Sequence, residues 1–155
     1  MQAPPLTWAM NLRVRIGPEQ PLGVCAEGQR GNYPILGGEF FAEELQGRVL
    51  PGGADLYLER GDGVGVLSAR YTLQADDGTL LNVLNDGYLV MTAAGRAAAM
   101  AGTWPLPELE YQCRCSPRFQ VGLGEHADWG TRVFIGTVTY PCVDEVHIDV
   151  FHIAP

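Results

Sequence analysis

Residues 54–92 read ADLYLERGDGVGVLSARYTLQADDGTLLNVLNDGYLVMT. Apolar and polar residues alternate through most of this stretch, and Asp-Gly pairs fall at 62–63, 77–78 and 86–87. Alternation with period two marks a strand with one buried and one wet face. Asp-Gly suits a tight hairpin turn because both turn residues take positive φ. The stretch therefore predicts an antiparallel meander that reverses at each of the three pairs. The pattern continues outward. Met10, Leu12, Val14 and Ile16 alternate with Asn11, Arg13 and Arg15, and similar segments recur near 109–115, 131–140 and 146–153. Helical signal is confined to AAGRAAAMAG at 93–102, enough for one or two turns or an ordered loop. With no amphipathic helix to cover a sheet, eight or more strands must bury their faces against each other. The expected fold is all-β: a single antiparallel β-barrel domain over 1–155 with little helix, closure being preferred because it removes edges. Gly-Gly pairs at 37–38 and 52–53 read either as strand bends at barrel corners or as ordinary loops.

Composition narrows the chemistry. The chain has 155 residues, a net charge of −8 and ten cations, every one an arginine. Without lysine there is no Schiff-base, pyridoxal-phosphate or Walker-A chemistry. The two serines, Ser68 and Ser116, do not sit in G-x-S-x-G, and no G-x-G-x-x-G occurs. The acidic balance argues against nucleic acid as a partner. No run of about 18 apolar residues points to a membrane span. The opening MQAPPLTWAM lacks the basic and apolar regions of a signal peptide, so a cytoplasmic location and reduced thiols are expected. Cys113-x-Cys115 departs from the usual C-x(2–4)-C spacing of zinc sites, and His147 and His152 face opposite ways on a strand, so no metal is expected. No cofactor is expected either.

Residues 31–55, GNYPILGGEFFAEELQGRVLPGGAD, carry more than composition. Ile35, Gly37, Gly38 and Phe40, then Leu45, Gly47 and Val49, then Pro51–Asp55 resemble the pattern of a family known as domain of unknown function 3237. LSARYTLQADDGTLLNV (67–83), SPRF (116–119) and VFIG (133–136) continue the likeness over nearly the whole chain. The resemblance implies a small β-barrel, lipocalin-like or allene-oxide-cyclase-like, with a pocket at one end and assembly as a homodimer. It supplies no reaction. The chain departs from the family at Ala42-Glu43, where Gly-Pro is usual. It departs again before VFIG, where His126-Ala-Asp128-Trp129-Gly130 stands in place of the family's Tyr-x-Trp-Leu-Asn, or, with a one-residue shift, Trp129 falls on the family Trp; either way a histidine stands beside an acid.

That departure makes His126 and Asp128 the first candidates. At i and i+2 on an extended segment they share a face, and a carboxylate beside an imidazole makes a proton-transfer group near neutrality. The bland alternative is a solvated loop among Gly122, Gly124 and Gly130. Glu39 and Asp55, each just after a Gly-Gly pair, are candidates for a second acid or base if burial raises their pKa. Asp55 also suits a structural role in accepting backbone N–H groups. Asp55, Tyr57 and Glu59 share one strand face. An inward Arg48 or Arg70 would clamp developing negative charge, or else pair with a nearby acid. Tyr57, Tyr71 and Tyr111 are candidate hydrogen-bond donors to a substrate, and Phe41 and Trp129 candidate apolar contacts.

The reading that follows is a cofactor-independent enzyme. It takes a small, largely apolar organic molecule, such as a natural-product intermediate, into a barrel pocket. Acid–base chemistry there would isomerise, cyclise or dehydrate it. The rival is a non-catalytic carrier or sensor barrel. A pocket that excludes His126 favours the rival, and one lined by His126, Glu39 and Asp55 together favours the enzyme.

Overall fold

The computed structural model describes residues 1–154. Ten strands form one sheet: β1 (Leu6–Ile16), β2 (Gln20–Cys25), β3 (Gly28–Ala42), β4 (Gln46–Val49), β5 (Ala54–Glu59), β6 (Gly65–Ala75), β7 (Leu80–Met91), β8 (Tyr111–Val121), β9 (Phe134–Cys142) and β10 (Glu145–Ile153). A short helix, α1 (Ala93–Met100), follows β7. The Thr92 hydroxyl caps it by accepting the Gly95 N–H at 3.0 Å. The order runs β1-β10-β9-β8-β7-β6, and β6 then pairs with β4 along one part of its length and β5 along another. Both of these pair with β3, and β3 returns to β1. Counting β4 and β5 as one broken strand, this is a closed eight-stranded antiparallel barrel, with β2 as an extra strand hairpinned onto β3.

Gly37-Gly38 bends β3 from within, and Gly52-Gly53 lies in the link between β4 and β5. Gly38 has φ +137°, and a Cβ on it would lie 2.0 Å from the Arg13 carbonyl oxygen. Before the bend, β3 pairs with β2 and β5, and after it with β1 and β4. The β1–β3 register slips between Arg15 and Ile16 at this point. The slip also reverses parity. Gly31 and Ile35 are buried before the bend, whereas Phe40 is buried and Glu39 and Phe41 are exposed after it. An added residue in a strand sends every later side chain to the other face.

The Asp-Gly pairs at 62–63 and 77–78 are turns, as expected, although only the glycines and not Asp62 or Asp77 take positive φ; Asp86-Gly87 lies inside β7, so the reversal expected there is absent and Leu80–Met91 is one strand. Gly87 opposes Cys115, and a Cβ on it would meet the Arg114 carbonyl at 2.3 Å. Close strand approach, not a reversal, is what requires glycine there.

The barrel interior has two halves. Met10, Leu12, Phe40, Leu73, Leu81, Val83 and Val150 fill one half and are almost wholly withdrawn from water. Phe119, Trp129 and Phe134 add an aromatic cluster with ring centroids 5.0–5.3 Å apart. Each such side chain contributes about 1.5–3 kcal/mol by leaving water. The β6–β7 turn at Asp77 lies beyond this filled half. The other half, toward Ile16, Leu67, Met91 and Val146, is hollow.

Candidate active site in the hollow half of the barrel

The hollow half holds a cavity of about 470 Å³, within the range of small-molecule sites. Its walls are mostly apolar, including Val14, Ile35, Leu89, Val138 and Ile148.

Three of its polar groups lie in one row of paired strands. Tyr33 on β3 opposes Asp55 on β5, Asp55 opposes Ala69 on β6, and Ala69 opposes Asn85 on β7. Asp55 Oδ1 accepts the Ser68 N–H at 2.8 Å. Withdrawal from water, outweighing that bond, raises the Asp55 carboxyl to about 6. Tyr71, diagonal to Asp55, is buried and its hydroxyl has no partner. Burial pushes its ionisation well above the ordinary tyrosine range, so it remains a hydrogen-bond donor. The Asn85 Oδ1 is also buried without a partner. Tyr140 and Trp104, with rings 5.1 Å apart, line the cavity further along.

Of the residues singled out in the sequence, Asp55, Tyr57, Glu59 and Tyr71 reach this cavity. His126 and Asp128 do not form the expected pair. They lie at a 3-10 turn (Ala127–Gly130), not on a strand, so i and i+2 do not share a face. His126 Nε2 instead meets Asp77 Oδ2 at 3.0 Å beside the filled half, and Asp128 pairs with Arg132. Glu39 and Arg48 oppose each other on the outer surface, where Glu39 lies 3.8 Å from Arg13 and Arg48 binds Gln74. Phe41 is outward under the Arg13 guanidinium, 5.8 Å from it. The parity reversal at Gly37-Gly38 puts Glu39 and Phe41 there. Arg70 also points outward and pairs with Asp86 at 3.1 Å. Its neighbours Ala69 and Tyr71 face in, and a strand cannot send adjacent residues to one side. Tyr111 is buried beside the cavity rather than in its lining, its hydroxyl accepting the Tyr140 N–H at 3.0 Å. Trp129 stacks on Phe134 in the filled half.

The cavity residues that the sequence did not single out are Glu19, Tyr33, Asn85 and Tyr140. Asn85 carried a signal, since it continues the inward parity of Leu81 and Val83. Glu19 carried none, because it lies in the β1–β2 connection. Cys113 and Cys115 are buried thiols pushed up to about 12 and about 11, chiefly by burial. Such thiols are poor metal ligands and poor nucleophiles.

A family described as "Protein of unknown function (DUF3237)" matches residues 4–153. A UPF0311 protein of Rhodopseudomonas palustris (strain TIE-1) is 32% identical over 146 residues, which is 94% of each chain. Among solved structures, a conserved protein of unknown function from Rhodopseudomonas palustris superposes with a TM-score of 0.90 at 28% identity, covering 99% of this chain and 100% of that one. An enzyme from Penicillium herquei superposes with a TM-score of 0.72 at 16% identity, covering 99% of this chain and 97% of that one. At that identity the likeness shows the fold alone.

Proposed function

The chain belongs to the DUF3237 family, and from that premise we propose that it is a cofactor-independent enzyme that moves a proton on a small, largely apolar molecule held in the barrel. The observation that carries this reading is Asp55: a carboxylate in a mostly apolar wall, with one oxygen tied to the Ser68 N–H and a pKa near 6. A base so poised takes a proton from an acidic C–H or O–H and, as the carboxylic acid, returns it to another atom of the same molecule. Tyr71 donates a hydrogen bond to the oxygen on which charge develops. The apolar walls hold the reactive conformer and keep water away. Isomerisation, cyclisation and dehydration all begin with such a step. That one structural neighbour is described as an enzyme agrees with a barrel of this kind supporting catalysis.

Solvent exchange tests the proposal without knowledge of the substrate. Enolisable apolar ketones and phenols are incubated with the protein in D₂O and followed by mass spectrometry. Catalysed deuterium uptake that falls at least about a hundredfold in Asp55→Asn supports the role of Asp55. Binding without exchange by any compound favours the carrier or sensor instead. The position of His126 at the filled half favours that second reading, because it leaves the cavity without the imidazole base.

The homodimer implied by the family resemblance has a suitable surface. Leu6, Leu56, Tyr88 and Ile135 are exposed around a concave outer face of the sheet. Light scattering after size exclusion, on the wild type and on Tyr88→Glu, tests this: loss of the dimer only in the variant is the expected result.

A further inference from the structure

None of the ten arginines or three histidines lines the cavity, although Asp55, Glu19 and Glu59 all do. The three acids are arranged with aromatic rings. Asp55, Tyr57 and Glu59 alternate along the inner face of β5, a stripe about 13 Å long at 3.3 Å per residue. Tyr57 opposes Gly31 across the β3–β5 pairing. A Cβ on Gly31 would lie 2.0 Å from Glu19 Oε1, so glycine at this place lets the Glu19 carboxylate rest against the inner wall. The Tyr33 and Tyr57 rings meet edge-to-face at 6.0 Å in the same region. Burial first, then the neighbouring carboxylates, raise the ionisation of both tyrosines, Tyr33 to about 12. Carboxylates and tyrosine faces both attract cations, and both do so more strongly when water is partly excluded.

Resting on the reading of this cavity as a ligand site, we propose that it selects ligands carrying a protonated amine on an apolar body and rejects carboxylates and phosphates. The ammonium group sits at the Glu19–Glu59 end among Tyr33 and Tyr57. The apolar body extends toward Asp55 and the aliphatic walls. An anion finds no counter-charge inside and meets three carboxylates.

The test uses three probes with one ring system: 2-naphthylmethylamine, 2-naphthylmethanol and 2-naphthoate. Affinity is measured by calorimetry at pH 7.5, and the Trp104 indole N–H resonance, identified with Trp104→Phe, reports occupancy inside the cavity. The expected order is amine, then alcohol, then carboxylate, with at least tenfold between the first and last. Glu19→Gln/Glu59→Gln brings that ratio toward one and leaves the alcohol unchanged. Equal binding of all three probes, or tighter binding of the carboxylate, overturns the charge selection and leaves the cavity standing as a ligand site. A ratio unmoved by the double variant overturns its assignment to these two acids. Failure of all three probes to bind overturns both the selection and the ligand-site reading.

Discussion

Asp55 and Asn85 face each other across Ala69 in one row of three antiparallel strands. At about 4.8 Å per strand their Cα atoms lie about 10 Å apart, and a single methyl group stands between them. Asn85 Oδ1 has no partner in this row, and Asp55 uses one oxygen on Ser68. The row thus presents two polar groups to whatever fills the gap above Ala69.

Asp55 sets a pH dependence of stability. Burial raises its carboxyl in the folded protein to about 6, above the ordinary aspartate value of 3.8. The folded protein therefore binds the proton more tightly than the unfolded chain, and stability falls as pH rises from about 4 to about 6, staying low above that. The expected loss is on the order of 2–3 kcal/mol at 1.36 kcal/mol per unit. Urea unfolding of the wild type and Asp55→Asn between pH 4 and 7.5 measures it. The difference between the two curves should move in favour of the variant across this window.

Ala69→Leu should close the gap between Asp55 and Asn85. The added atoms enter existing space, so stability should change by less than about 1.5 kcal/mol. Affinity for the naphthyl probes should drop at least tenfold. A variant that binds as tightly as the wild type would place the ligand elsewhere.

The His126–Asp77 contact should matter for stability and not for the cavity. His126 is 6% exposed, and its Nε2 meets Asp77 Oδ2 at 3.0 Å. His126→Ala removes that bond and buried ring volume, so a loss of about 1–3 kcal/mol is expected by thermal unfolding, with probe affinity unchanged. The Asp77 carboxyl is lowered to about 2, first by the Thr79 N–H, then by the Thr79 hydroxyl and His126. Its contribution is complete above pH 4 and lost as pH falls toward 2.

Gly53→Ala should be costly, whereas Gly61→Ala should not. Gly53 has φ +77°, and its Cβ would meet the Arg70 carbonyl at 2.0 Å; nothing lies within 4 Å of a Cβ on Gly61. A loss above about 1 kcal/mol is expected for Gly53→Ala. Because this link aims Asp55 two residues on, probe affinity should fall with it. Calorimetric unfolding and probe titration of the pair check both effects.

Much of the barrel was legible residue by residue. The alternation of β1 and β6 and the turns at Asp62-Gly63 and Asp77-Gly78 follow from local sequence, whereas the two Gly-Gly pairs read equally as bends or loops until the register is known. Asp86-Gly87 misled because a tight turn and close strand packing ask for the same absent Cβ. His126 and Asp128 misled because same-face geometry holds only on a strand, and their segment forms a 3-10 turn. Arg70 and Tyr71 could not both face inward, a constraint readable from adjacency alone.

What the sequence by itself determined is the strand character of β1, β5, β6 and β8–β10, the shared face of Asp55, Tyr57 and Glu59, and the absence of lysine chemistry. These depend on a two-residue period and on which side chains exist. Only the tertiary structure decided that Asp55 faces a cavity while Glu39 faces solvent, and that Asn85 and Glu19 join Asp55. Facing in or out depends on register and on the parity reversal at Gly37-Gly38. Filled or hollow depends on how side chains from distant strands sum across the closed barrel, a sum that no local stretch contains.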